Sequence, residues 1–188
     1  MSRVSVALVH YPVLDRKGDI YTTSITNLDV HDIARSCRTY NVDAYYVVTP
    51  ISAQQALANA IVGHWTQGKG AKKNKDRSAA MARTHVVESI EEALDREKQI
   101  LSHTPQVWTT SAKSEMKKCL TFKEANLKIR TQEDVMLIFG TGQGLHPRVI
   151  EDADALLPPI KGSLDYNHLS VRSAAAIILD RLLAIETE

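Results

Sequence analysis

An α/β fold with a parallel sheet follows from three features of the 188-residue sequence. Short, almost unbroken apolar runs recur at Val4 to Val9, Ala44 to Val48 and Val135 to Phe139, the signature of strands buried on both faces. Stretches with helical apolar spacing separate them. The run ending at Phe139 breaks into the glycine-rich loop Gly140-Thr-Gly142-Gln-Gly144-Leu145. In open α/β sheets, ligands bind outside the carboxyl ends of the strands, so that loop marks a candidate crevice.

The elements follow in order. Val4 to Val9 is the first strand, and residues 10–26 form a polar loop with Asp15, Lys17 and Gly18. Val30, Ile33, Ala34 and Cys37 give an amphipathic helix over 29–40, capped by Asn27 or Asp29. The strand Ala44 to Val48 ends at Pro50. A helix from Ser52 carries Ala56, Leu57, Ala60 and Ile61. Residues 63–83 hold Lys69, Lys72, Lys73, Lys75, Arg77 and Arg83 against one acid, Asp76, and read as an exposed mobile loop. Ser89-Ile-Glu-Glu92 resembles a capping box opening a helix to about Ser102, with Ile90, Ala93, Leu94, Glu97 and Leu101 along it. Gln106 to Thr110 is a strand, and a helix spans about 121–130. Pro147 starts a short helix through Ile150. Residues 153–157 form a last strand. The final helix presents Val171, Ala174, Ala175, Ile178, Leu182 and Ile185 on one face.

Composition narrows the function classes. The length suits one domain, or one domain with a small insertion. A formal net charge of +1 does not announce a nucleic-acid binder, so any basic surface is local. Cys37 and Cys119 form no metal pattern, and the seven histidines make no HExxH, so no metal is expected. A reduced, cytoplasmic protein is the simple reading. The first apolar run is too short for a signal peptide, and none approaches the roughly 18 residues of a membrane span. No internal repeat is present.

The glycine loop is neither a Walker loop nor a GxGxxG fingerprint, since no Gly-Lys-Ser/Thr follows and the spacing is GxGxG. It is either a plain tight turn or a close backbone approach to a flat ligand. A second segment, Gly162-Ser-Leu-Asp-Tyr-Asn167-His-Leu-Ser170, runs straight into an alanine-rich helix. Asn167 or Ser170 is either a simple cap or part of a ligand loop. Small residues at 173–176 allow another backbone to pack closely there.

Together these segments resemble the SPOUT superfamily of S-adenosylmethionine-dependent RNA methyltransferases. Thr26-Asn27 through Arg35 is similar to its first motif, and Val107-Trp-Thr109-Thr110 to the strand and threonine pair before the cofactor pocket. Leu137 through Leu145 resembles the second motif, and Leu157-Pro-Pro-Ile160 through Ala176 the third. Two positions depart from the family pattern. Gln143 stands where an acid is usual, and Arg172-Ser173 precedes the alanines.

The resemblance implies a single domain over residues 1–188 whose C-terminal segment forms a deep trefoil knot, a rare feature among folds. It implies a homodimer, S-adenosylmethionine as cofactor and tRNA or rRNA as substrate. The methyl acceptor is a ribose 2′-oxygen or a base nitrogen. Thr109, Thr110, Gly140, Thr141, Gly142, Gly144, Leu145, Ile160, Gly162, Ser163, Asn167, Leu169 and Ser170 then form the cofactor site. Arg35 corresponds to the motif arginine, against the alternative of surface charge, and Asn27 orients substrate or caps its helix. Lys69, Lys72, Lys73, Lys75 and Arg77 are candidate phosphate contacts, against the alternative of a solvated loop. His64 and Trp65 are candidates to stack on a base, and His10, Tyr11 and Arg16 are weaker candidates for the same surface. The competing readings are a non-catalytic RNA- or nucleotide-binding module on the same scaffold, and a Rossmann-type oxidoreductase. The late, differently spaced glycine loop argues against the last.

Overall fold

The computed structural model describes residues 2–112, 119–163, 166 and 168–185. Six parallel strands form the sheet: β1 (Val4–Val9), β4 (Ala44–Val48), β5 (Thr84–Val87), β6 (Gln106–Thr110), β7 (Val135–Gly140) and β8 (Ala155–Leu157). Their order is β5-β4-β1-β7-β6-β8. β1 and β7 lie at the centre, paired from Val4↔Val135 to Val9↔Gly140. β1 leads to β4 on one side, and β7 leads to β8 on the other. The sheet therefore changes winding direction between β1 and β7, which is where such sheets open a crevice.

Alternation along the strands sorts two apolar layers. Val6, Leu8, Tyr45, Val47, Trp108, Leu137 and Phe139 face one side. There they meet α1 (Asn27–Thr39), α6 (Phe122–Arg130) and α8 (Val171–Leu183). Ala7, Val9, Tyr46, Val48, Met136 and Ile138 face the other side, against α5 (Ile90–Leu101) and α7 (Pro147–Glu151). The two helices α1 and α8 pack on each other, with Val30, Ile33, Ala34 and Cys37 buried on α1 and Ala175, Ile178, Leu179 and Leu182 on α8. Ile185 lies beyond α8 and is exposed, so the buried face of this helix ends at Leu182. On α5, Glu97 is buried but carries Arg3 at 2.6 Å and the Tyr46 hydroxyl at 2.7 Å, so its charge is fully engaged.

Several expectations are corrected. The polar loop after β1 contains a small hairpin, β2 (Val13–Leu14) with β3 (Ile20–Tyr21). The cap of α1 is neither Asn27 nor Asp29 but Thr26, whose hydroxyl accepts from the Asp29 N–H at 3.1 Å. Glu92 accepts from the Glu88 N–H rather than from Ser89, so α5 has only half a capping box. On α2 (Ser52–Thr66) the buried residue is Ala58, while Ala56, Leu57 and Ala60 are exposed.

The basic segment is helical, not a loop. α2 runs to Thr66, followed by α3 (Lys69–Lys73) and α4 (Lys75–Met81). Asn74 caps α4 by accepting from the Arg77 N–H at 2.9 Å, and Ala80 and Met81 are buried. Gly70 lets α3 press against Trp65, since a Cβ there would stand 2.7 Å from the Trp65 ring.

Candidate functional site

Three adjacent strands, β7, β6 and β8, end at one edge of the sheet, and their following segments carry the expected cofactor residues. The loop after β7 is tied to the N-terminal part of the chain. Thr141 donates to the Val9 carbonyl through both its N–H (3.2 Å) and its hydroxyl (3.0 Å). Leu14 N–H donates to Gly144 O at 2.9 Å, and Gln143 N–H to Leu14 O at 3.0 Å. Those backbone groups are therefore engaged within the chain, and a ligand is left the others. Gly142 has φ +61°, and an added Cβ would stand 2.9 Å from Leu14 O, so its bareness serves the seam with β2. At Gly144, φ is +110° and nothing lies within 4 Å of a built Cβ, so this glycine borders open space. The side chain of Leu145 is buried against β7, close to Gly140.

The threonine pair works inside the sheet. Thr109 is buried with its hydroxyl 3.5 Å from Ala155 O, and the half-buried Thr110 donates to Ile138 O at 3.2 Å. The Thr109 side chain thus links β6 to β8. Beyond β8, Ile160 packs on the core while Gly162, Ser163 and Leu169 are exposed. Ser170 caps α8, accepting from the Ser173 N–H at 3.3 Å. Asn167 lies outside the described residues.

His10 follows β1 and is only 1% exposed, which corrects its reading as a surface contact. Its hydrogen bonds fix its tautomer. Thr141 Oγ1 donates to Val9 O, so Thr23 Oγ1 donates to Thr141 Oγ1. His10 Nδ1–H must then donate to Thr23 Oγ1, at 2.9 Å. The Nε2 lone pair is left buried with no partner among the described residues. Burial lowers the His10 pKa to about 4, opposed by the Asp29 charge.

Asn27 and Arg35 sit two turns apart on the exposed face of α1, roughly 12 Å along its axis. They line one groove of about 570 Å³, walled also by α2 and α4 and containing His31, His64, Trp65 and Arg77. Of the five expected phosphate contacts, only Arg77 lines this groove. Lys69, Lys72, Lys73 and Lys75 are exposed outside it. The Trp65 ring is enclosed rather than free to stack. Its Nε1–H donates to His31 Nε2 at 3.1 Å, His64 meets it edge-on, and the Arg77 guanidinium lies over it at 4.6 Å. Burial and the Arg77 charge lower the His31 pKa, which keeps the ring neutral and able to accept that bond.

An ion pair joins this groove to the strand-end loops. Arg172, at the start of α8, lies 2.9 Å from Asp29 and 3.5 Å from Asp32, both on α1. His31 lines the groove and the Asp29–Arg172 pair braces it, roles that the motifs did not give these residues. A second cavity, about 660 Å³, lies on the opposite sheet face by α5 and α7 and contains none of these residues. Among the described residues, no cluster of three or more histidine, cysteine, aspartate or glutamate side chains could hold a metal.

Comparison with known proteins gives the arrangement a lineage. A protein named tRNA (guanine-N(1)-)-methyltransferase from Nitratidesulfovibrio vulgaris is 44% identical over 177 residues, covering 94% of this chain and 41% of that protein. A similar relative from Oleidesulfovibrio alaskensis is 42% identical with the same coverage, so the chain spans about two fifths of the length of these two relatives. An uncharacterized Aquifex aeolicus protein is 36% identical over 184 residues and is matched over 88% of its length. Among solved structures, a probable methyltransferase from Bordetella pertussis superposes with a TM-score of 0.63 at 19% identity, covering 96% of this chain and 94% of that one. The SpoU methyltransferase AviRb of Streptomyces viridochromogenes, solved with AdoMet, gives 0.58 at 14% identity, covering 97% of this chain and 57% of that one. These structures show a shared fold. The model of a family described as SAM-dependent RNA methyltransferase matches residues 3–184, and this chain belongs to that family, in agreement with the SPOUT resemblance of its motifs.

Proposed function

We propose that this chain transfers a methyl group from S-adenosylmethionine to tRNA or rRNA, at a ribose 2′-oxygen or a base nitrogen. The observation that carries the reading is the shared groove of Asn27 and Arg35, tied by Asp29–Arg172 to the helix that ends the third strand-end loop. The relatives named for guanine-N1 methylation are more than twice the matched length, so their acceptor is not carried over.

The residues fit the cofactor. Segments after β6, β7 and β8 share one edge, and at Gly144 a Cβ would occupy open space beside it. Exposed Gly162, Ser163 and Leu169, with the remaining backbone groups of Gly140 to Leu145, form the other candidate contacts. When bound, S-adenosylmethionine supplies an electrophilic methyl group, which leaves the protein mainly to position the acceptor. In this reading Asn27 orients the acceptor nucleotide and the Arg35 guanidinium stabilises the negative charge that develops there as the acceptor's proton passes to water. The exposed Lys69, Lys72, Lys73 and Lys75 extend the cationic surface to flanking phosphates.

The same proposal includes one domain over residues 1–188 with the trefoil knot. Its support is the chain path beside β8. Cys119 bridges to Leu156, and Leu120 N–H donates to Leu156 O at 2.9 Å. β8 therefore lies between β6 and residues 119–120, an arrangement compatible with a threaded chain path. A homodimer is supported by exposed Leu57, Tyr166 and Leu169. A cytoplasmic setting is supported by the free Cys37 and Cys119. Among the described residues, no helix is long and apolar enough to cross a membrane.

Incubation of the chain with tritiated S-adenosylmethionine and undermodified total RNA tests the activity. Label in the RNA, lost in Arg35→Ala, is the expected result. Unlabelled RNA together with intact RNA binding would leave the non-catalytic module instead.

A further inference from the structure

Two cations reach the groove from different helices, and neither is neutralised. Among the described residues no carboxylate lies within ion-pair distance of Arg35 or Arg77. The acid lining the groove, Asp32, is engaged by Arg172 at 3.5 Å. Arg77 is also held in place. Its guanidinium rests 4.6 Å from the Trp65 ring centroid, and Trp65 is itself fixed by the 3.1 Å bond to His31 and by the close approach of Gly70. A planar guanidinium already ordered on an aromatic face loses little further freedom on gripping an oxyanion. His31 Nδ1, which must carry the proton when Nε2 accepts from Trp65, has no partner among the described residues.

The size of the groove limits the occupant. A cavity of about 570 Å³ matches sites that enclose one small-molecule-sized ligand. One unstacked nucleotide is of the size such a groove holds. We propose that this groove seats a single extruded RNA nucleotide, with Arg77 on its Trp65 platform gripping the phosphate and Arg35 facing the same nucleotide. The inference rests on RNA being the substrate. It makes Arg77 a specificity residue for single-stranded RNA, separate in role from the exposed lysines of α3.

Tryptophan fluorescence reads the groove directly. The chain has two tryptophans, and Trp108 is fully buried, so an emission change on adding RNA reports Trp65. Titration uses a single-stranded nine-nucleotide RNA of mixed sequence and, separately, its blunt duplex. The single strand changes the emission and the duplex does not. Arg77→Gln raises the dissociation constant for the single strand by about tenfold or more, and Arg77→Lys, which keeps the charge but not the planar stack, falls between. Binding of S-adenosylhomocysteine stays at the wild-type value in both variants and certifies their folding. If Arg77→Gln fails that check, Arg77→Lys decides. Single-strand binding unaltered by the substitutions, or equal binding of the duplex, overturns the proposal. Failure of wild type to bind S-adenosylhomocysteine instead removes the methyltransferase reading, while the Trp65 response still judges the groove.

Discussion

The guanidinium of Arg172 lies 2.9 Å from Asp29, joining the first turn of α8 to the first turn of α1. Asp29 suits a helix N-terminus, and Arg172 does not. The pairing offsets that unfavourable placement, and the Thr26 hydroxyl donates to the same carboxylate at 2.6 Å. The position that departs from the family's usual third motif is thus the one that ties the strand-end loop to the groove.

Removing one partner leaves the other largely desolvated. Arg172→Ala should destabilise the fold by about 1–3 kcal/mol, the lower end reflecting an arginine side chain that is 34% exposed. The double variant Arg172→Ala/Asp29→Asn should recover part of that loss. A urea-denaturation cycle measures the coupling, and strictly additive losses would mean that the pair carries no interaction energy.

The glycines of the β7 loop should separate by role. Gly142→Ala places a Cβ 2.9 Å from Leu14 O at φ +61°, so it should lower stability by about 1–3 kcal/mol. Gly144→Ala, at φ +110° beside open space, incurs backbone strain and should weaken S-adenosylhomocysteine binding as well. Thermal melts with calorimetry distinguish the two, and equal cofactor affinity in Gly144→Ala would move the ligand away from this loop.

His10 makes stability depend on pH. Its folded pKa of about 4 lies below the unfolded value of 6.5, so the unfolded chain binds more protons between them. Stability is therefore full above pH 6.5 and falls as pH drops toward 4, by up to about 3 kcal/mol. The lowered pKa values of His31 and His85 act in the same direction. His10→Asn should flatten the profile in this window, and a melting curve series with an unchanged slope would assign the dependence elsewhere.

The α3 lysines should act through charge alone. Lys72→Glu with Lys73→Glu should weaken RNA binding most at low salt and reduce the salt slope. Filter binding across a salt series checks this, and identical curves would remove α3 from the RNA surface.

The strands were legible because both faces of the sheet are covered, so each reads as an apolar run. The α1 and α8 faces followed from their helical spacing. The hairpin at Val13 and Tyr21 escaped because two-residue strands leave no periodic signal. Residues 63–83 read as a loop because glycine and lysine dominate them. Their helices depend on contacts distant in sequence, Gly70 on Trp65 and Arg77 over the same ring. That Asn27 and Arg35 stand on one helix was legible from the first motif. Asp29–Arg172 and His10–Thr23–Thr141 were not, since each joins residues that only the fold brings together. The loop glycines also changed meaning, because Gly142 serves Leu14 whereas Gly144 borders open space.

The central claim, that this chain carries its own cofactor site beside an RNA groove, is tested most directly by calorimetry with S-adenosylhomocysteine on wild type and Arg35→Ala. Saturable binding by both proteins, with methyl transfer to RNA lost only in Arg35→Ala, is the predicted result. No cofactor binding by the wild-type chain would contradict the account.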